Sequence, residues 1–238
     1  MKPLVLAAAL LALAPIAAAA QTGATGTAWN GEQVHTFAIE LDPQGRMVSM
    51  RPTAPMPDAL RSALESRAAE WVFQTDGRPA GSIRSYLRIA VAGGTSAGEP
   101  LRILSATTGP AFDTLSNPVY PTSELRRGEG GVVVLQVEVD ANGAVTAVDF
   151  HGDKQRATRS MANAARDAAW QWRFTPEQVD GMPIASTVLV PVCFMADHPA
   201  PSSCSWQGPG ARHLSRLAIV TLDPAARVDT QAAQLAGF

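Results

Sequence analysis

The chain of 238 residues carries a formal net charge of −2, so nothing in its electrostatics favours nucleic acid or an anionic membrane surface as a partner. Its length suits one large or two small domains, each near the ~100 residues at which a single core becomes self-sufficient. Lysine occurs only at Lys2 and Lys154 while arginine is frequent, a compositional bias from which no function follows.

Residues 1–20 combine Lys2, an apolar run from Leu4 to Leu13, Pro15 and the small residues Ala18-Ala19-Ala20 before Gln21. That is the layout of a secretory signal peptide cleaved after Ala20. The alternative is an uncleaved anchor, because the run from Pro3 to Ala20 is near the ~17-residue lower limit for spanning a bilayer. No cysteine follows the run to accept a lipid, and no later segment is long and apolar enough to cross a membrane. Residues 21–30, rich in Gly, Thr and Ala, read as a flexible start.

His35, Phe37, Ile39 and Leu41 then alternate with Thr36, Ala38 and Glu40, predicting a half-buried strand. Asp42-Pro43-Gln44-Gly45 predicts a hairpin turn with glycine at the left-handed position, and a short strand follows over Arg46 to Met50. After Pro52, Pro55 and Pro57, Asp58 reads as the N-cap of a helix carrying Leu60, Leu64, Ala68 and Trp71 on one stripe. A turn at Asp76-Gly77 leads to Ile83, Ser85, Leu87, Ile89 and Val91, alternating with Arg84, Tyr86 and Arg88. This pattern predicts a third strand with one wet face. Leu101 to Leu104 reads as a fourth strand, and residues 106–118 as a linker.

The same order of signals returns in the second half. Ser123 to Arg127 reads as a helical turn, and Gly131 opens a strand in which Val133, Leu135, Val137 and Val139 alternate with Val134, Gln136 and Glu138. Asp140-Ala141-Asn142-Gly143 repeats the Asp-x-x-Gly turn, a strand runs from Ala144 to Phe150, and a helix follows with Met161, Ala165, Ala168 and Trp172 on one stripe. Trp172-Arg173-Phe174 and Gly181-Met182-Pro183 match Trp71-Val72-Phe73 and Gly77-Arg78-Pro79. Each half therefore predicts an α+β domain of two layers, an antiparallel sheet of three to four strands with one helix on one face. The expected boundaries are a signal peptide at 1–20, a degenerate copy at 32–105, a linker at 106–118, the better-preserved copy at 119–194 and an extension at 195–238.

No phosphate loop, dinucleotide fingerprint, zinc-protease motif or nucleophile elbow occurs, so no catalytic, cofactor or metal site is assigned. His35, His151, His198 and His213 are dispersed, and each reads as exposed or structural. Arg84 with Arg88, and Arg126-Arg127, read as solvated faces rather than anion-binding pairs. Trp172 and Phe174 have the spacing of core residues rather than of a sugar platform. The two cysteines, Cys193 and Cys204, read as a disulfide closing a short loop. A metal site using Cys193, His198, Cys204 and His213 would lack the usual ligand spacings. What remains as a functional surface is backbone, because small sheets expose edges that accept a peptide by strand addition.

Tyr120-Pro121, Gly131, Gly143, Trp172-x-Phe174-x-Pro176, Gly181-x-Pro183 and the strand ending at Phe194 together resemble the C-terminal domain of the TonB family. The resemblance covers about a third of the chain, and residues 32–91 share it more faintly, without the opening Tyr-Pro. It implies a periplasmic module without enzymatic activity or cofactor that binds an envelope protein or peptide, such as an outer-membrane receptor. It also places partner binding on the edge of the last strand, here Thr187, Val188, Leu189 and Val190, in a stretch whose Pro191 lacks an N–H. An energy transducer of the family would keep its N-terminal anchor and a long proline-rich spacer; a cleaved signal and two domains favour a binding protein of another kind. A hydrolase with an unrecognised site is the reading from a different class. Leu214, Leu217, Ile219 and Leu222 form a short apolar run after the cysteine loop, and two outcomes stay open. The run returns to cover the Thr187–Val190 edge, or it lies elsewhere and leaves that edge open.

Overall fold

Two Asp-x-x-Gly turns, each followed by an 11-residue helix, divide the described chain into halves that share the order hairpin, helix, long strand. The computed structural model describes residues 32–75, 81–93, 100–152, 157–195 and 219–228. The expected signal peptide, the glycine-rich start, the Asp76-Gly77 turn and Cys204 lie outside the described residues.

In the first half β1 (Glu32–Leu41) and β2 (Met47–Pro52) form a hairpin, α1 (Asp58–Ala68) crosses it, and β3 (Phe73–Gln74) leads toward β4 (Ile83–Ala92). Strand β4 pairs with β1 along its whole length, from Glu32↔Ala92 to Leu41↔Ile83. In the second half α2 (Thr122–Arg127) precedes the hairpin of β7 (Gly131–Val139) and β8 (Val145–Phe150). Helix α3 (Arg159–Ala169), β9 (Arg173–Thr175), the small hairpin of β10 (Gln178–Val179) and β11 (Met182–Pro183), and β12 (Ser186–Phe194) follow. Strand β12 pairs with β7 from Ser186↔Val139 to Phe194↔Gly131. The fold is α+β with antiparallel sheets, as expected, and each sheet carries its helix on one face.

The two turns are built alike. The Asp42 carboxylate accepts from the amides of Gln44 and Arg46, and that of Asp140 from Asn142 and Ala144. Gly45 and Gly143 sit at φ of +73° and +77°. Their carbonyls accept from the amides of Phe73 and Phe174, both at 2.9 Å. Under helix α3 the stripe Met161, Ala165, Ala168 and Trp172 is buried, with Trp172 edge-on to Phe112 at 5.4 Å. Its N-cap is Thr158, whose hydroxyl accepts from the Met161 amide. Helix α1 departs from expectation at its start: Pro57 is the N-cap residue, and Asp58, one position on, binds Arg61 instead of the backbone. Proline at the cap pre-sets an extended entry and leaves Asp58 in the first turn, where its charge still suits the dipole.

Two further expectations are corrected by contacts between the halves. Strand β4 keeps its wet face only toward Arg84, because Arg88 is only 4% exposed and Ala90 is buried with it. Strand β5 (Arg102–Gly109) pairs with β4 from Tyr86↔Gly109 to Ala92↔Arg102, and β10 of the second half pairs with β4 at Arg84 and Ile83. The first sheet thus has six strands, two of them from the other half. Residues 106–118 are not a free linker either: β5 runs through to Gly109, and β6 (Ala111–Thr114) pairs with β9, putting Phe112 on Phe174 at 4.7 Å. The two halves share strands, so the two-layer units are not independent bodies.

Candidate functional site

Strand β12 is the edge on which a partner was expected, and its exposure depends on which way its backbone groups point. Thr187 sends both its groups outward, its amide donating to the Asp223 carboxylate at 2.8 Å and its carbonyl accepting from the Leu222 amide at 2.8 Å. Successive residues of a strand point to opposite sides, so Leu189, Pro191 and Cys193 also face outward, while Val188, Val190 and Val192 face β7. Pro191, opposite Val134, therefore lacks its N–H on the outer side, where β7 needs no donor.

The outer side is occupied at one end. Strand β13 (Val220–Thr221) pairs with β12 at Val188↔Thr221 and Leu189↔Val220. Of the four candidate residues, Thr187, Val188 and Leu189 thus meet the returning tail, and pairing by β13 ends before Val190. Beyond Thr221 a side chain takes over from the backbone. The Leu222 carbonyl accepts from the Arg227 guanidinium at 2.7 Å, and the Asp223 carboxylate takes its place opposite the Thr187 amide.

The tail is seated by its side chains as well. Ile219 joins the core of the second half with Val188, Val190 and Phe194, and Val220 packs on the opposite face against the cluster of Val132, Val134 and Leu189. Thr221 is buried against Gly109, where a Cβ would stand 1.7 Å from its hydroxyl. The chain then crosses to the first half. The Ala225 amide donates to Glu177, the Thr108 hydroxyl donates to the Ala226 carbonyl, and β14 (Arg227–Val228) pairs with β3.

Beside the tail lies a buried polar junction. Glu177 is fully buried and accepts from the Ser85 hydroxyl at 2.6 Å and from Ala225 at 3.1 Å. Arg88 donates to the Pro110 carbonyl, and burial pulls its guanidinium down to about 10 against the opposing effect of Glu177's charge. It stays charged at neutral pH.

The family motif residues are structural. The Tyr120 hydroxyl donates to the Glu129 carbonyl and its ring meets Phe194 edge-on at 5.4 Å, while Pro121 caps α2. Gly131 opens β7 opposite Phe194, and the Trp172 indole donates to the Ser116 carbonyl at 2.8 Å. Pro176 separates β9 from β10, Gly181 shares a two-residue hairpin turn with Asp180, both at positive φ, and Pro183 lies in β11. Cys193 lies on β12 opposite Val132, and its expected partner Cys204 lies outside the described residues. Among the described residues no group of His, Cys, Asp and Glu gathers as a metal site, and no helix is long and apolar enough to cross a membrane.

Asp223, Arg227, Gly109 and Glu177 were not singled out from the sequence. The signals were faint: Asp223 precedes Pro224 at the end of an apolar run, and Gly109 precedes Pro110. Glu177 had no local pattern at all.

Comparison with known proteins agrees with the geometry. Residues 116–195 match the model for the Gram-negative bacterial TonB protein C-terminal domain. Protein TonB of Xanthomonas campestris pv. campestris, in strain B100 and again in strain ATCC 33913, is 38% identical over 91 residues, which are 38% of this chain and 40% of the relative. Protein TonB of Vibrio cholerae is 30% identical over 77 residues, 32% of this chain and 31% of the relative. The chain thus spans well under half the length of these relatives. Hairpin, helix, Trp-x-Phe, Asp-Gly turn and long final strand coincide with the matched stretch, and residues 116–195 form a TonB C-terminal-like domain.

Proposed function

We propose that this chain is a non-enzymatic periplasmic protein that binds another envelope protein or peptide through its TonB C-terminal-family domain. The observation that carries the reading is a long terminal strand whose outer backbone groups at Thr187 and Leu189 are engaged by an extended segment rather than by a complete neighbouring strand. An edge that accepts one extended segment is suited to accept another. The outer edge from Thr187 to Val190 is the binding site, and no cofactor or metal takes part. Cleavage after Ala20 would release the mature protein, and a Cys193–Cys204 disulfide would close the short stretch between the two cysteines in an oxidising compartment. The matched turns, helices and strand order of the two halves support an origin of residues 32–105 as a degenerate copy.

The test is photo-crosslinking in cells, with a benzophenone amino acid at the half-buried, outward-facing Thr187 and a control at the exposed Val48 on β2. Capture of the same envelope protein from Thr187 and not from Val48 supports the reading, and equal or absent capture at both removes it. A second reading, energy transduction to an outer-membrane receptor, is favoured by the name Protein TonB borne by the relatives. The N-terminus of the protein recovered from the envelope separates the two. A start at Gln21 supports a free periplasmic protein, and retention of Met1 to Ala20 in the inner membrane supports the transducer.

A further inference from the structure

We infer that the segment Ile219–Asp223 is the resident occupant of the peptide-binding edge and that its side chains describe the ligand that replaces it. The inference deepens the proposed binding function and rests on that reading. Its warrant is the contrast between the two ends of the tail. The part on β12 holds by a two-residue ladder, the Leu222 amide, the Asp223 carboxylate and the packing of Ile219, Val220 and Thr221, with no further ladder beyond Leu189. The part on the first half holds separately, through Ala225 and Ala226 in the core, the contacts to Glu177 and Thr108, and the pairing of β14 with β3. Residues 219–223 can therefore leave β12 while Ala225 to Val228 stay in place, keeping the strap at high effective concentration beside the edge.

The occupant also shows what the edge selects. Ile219 enters the core of the second half, and Val220 fills the opposite face among Val132, Val134 and Leu189. Thr221 is confined by Gly109, and Asp223 supplies the acceptor that the Thr187 amide requires. A competing segment is extended, with two consecutive aliphatic residues, a small residue directly after them, and Asp or Glu two positions further on. It is a short strand ending in a carboxylate. Pro191 limits its length, because a longer strand would find no donor there.

The test uses the full mature chain and a fluorescein-labelled peptide copying Leu217 to Asp223. Amide exchange in the unaltered chain reads the strap directly. Thr187 and Leu189 should exchange on the order of 100-fold faster than Val188 and Val190, because strap opening is a local event and opening of β7 is not. Asp223→Ala, and independently Val220→Pro, should raise affinity for the peptide on the order of tenfold by removing the competitor's contacts. A peptide carrying Ile219→Asp should not bind. Slow exchange at Leu135 and Val137 shows that a variant has folded; if neither variant folds, the exchange pattern of the unaltered chain decides alone. Equal exchange at all four β12 amides overturns the proposal, as does a folded variant with freed Thr187 and Leu189 that takes no peptide. If the freed edge takes the peptide but Thr187 crosslinks no envelope protein in cells, the occupant stands and the envelope-binding reading falls.

Discussion

Gly45 and Gly143 carry the same demand at two places. At each, φ is positive and a Cβ would stand within 2 Å of a carbonyl oxygen, 1.9 Å from that of Phe73 and 1.8 Å from that of Phe174. Alanine would add the left-handed penalty of roughly 1–2 kcal/mol to a clash with backbone that cannot swing aside. Gly45→Ala and Gly143→Ala should each lower the urea midpoint by at least the equivalent of that penalty, and a tolerated alanine at either would show the turn to be looser than described. Glu124 makes a different kind of residue-scale prediction. Hydroxyl groups of Ser123, Ser160 and Thr158 donate to its carboxylate, and they hold it down to about 2. A depressed carboxyl contributes stability above its unfolded value near 4.5 and loses it as pH falls toward 2. Over pH 5 to 2 the melting temperature of the unaltered chain should therefore fall more steeply than that of Glu124→Gln, and parallel curves would show that the carboxylate is not what ties α2 to the start of α3.

Helix α3 lies close to its sheet because the residues beneath it are small. Ala165 and Ala169 are fully buried between Met161 and Trp172. Ala165→Leu should destabilise by about 1–3 kcal/mol, as added methylenes in a filled core force neighbours off their rotamers. A neutral effect in chemical denaturation would place unfilled space under the helix. Elements of this kind were readable in the amino-acid sequence, since alternation, stripe spacing and Asp-x-x-Gly chemistry act within a dozen residues. The same local rules found the strand β12, while its assignment as a binding edge at Thr187–Val190 came from the family resemblance. They failed where the partner lies far along the chain. Arg88 has the spacing of an outward residue on β4, and only the arrival of β5, Pro110 and Glu177 makes it an inward one. Ala106 to Gly109 looks like loop until Tyr86 to Ile89 supply the other half of its ladder. Asp223 looks like a turn residue, and its role as a stand-in for a backbone acceptor needs Thr187 beside it.

At the scale of the molecule, Glu177 is where first half, second half and tail meet, through Ser85 and Ala225. Removing it would leave Arg88 buried without the charge that opposes its desolvation, and would leave two donors without an acceptor. Glu177→Ala should cost about 1–3 kcal/mol for each buried donor left without its acceptor. Calorimetric and van't Hoff enthalpies of the unaltered chain should agree, reflecting one cooperative unit, and should diverge in the variant as the halves begin to melt separately. Agreement in both proteins would mean that the shared strands, rather than this carboxylate, couple them.

The shared first sheet also bears on the order in which the molecule can be made. A ribosome delivers the chain N-terminus first. When β4 emerges, the residues that will complete its neighbourhood at Ile83 and Arg84 are still about a hundred positions away, and the segment that pairs with β3 comes later still. Until then Arg88 has no Glu177 beside it, and Phe73 lacks the cover of Val228. The nascent first half is thus an unfinished body with a bare edge, held open by topology and not by weak propensity. Its completion is a late, long-range closure of the kind that slows folding. A chaperone acting on this chain would have its longest task on residues 32–109, and a stalled chain ending near residue 195 should be degraded by added protease in its first half faster than the finished protein.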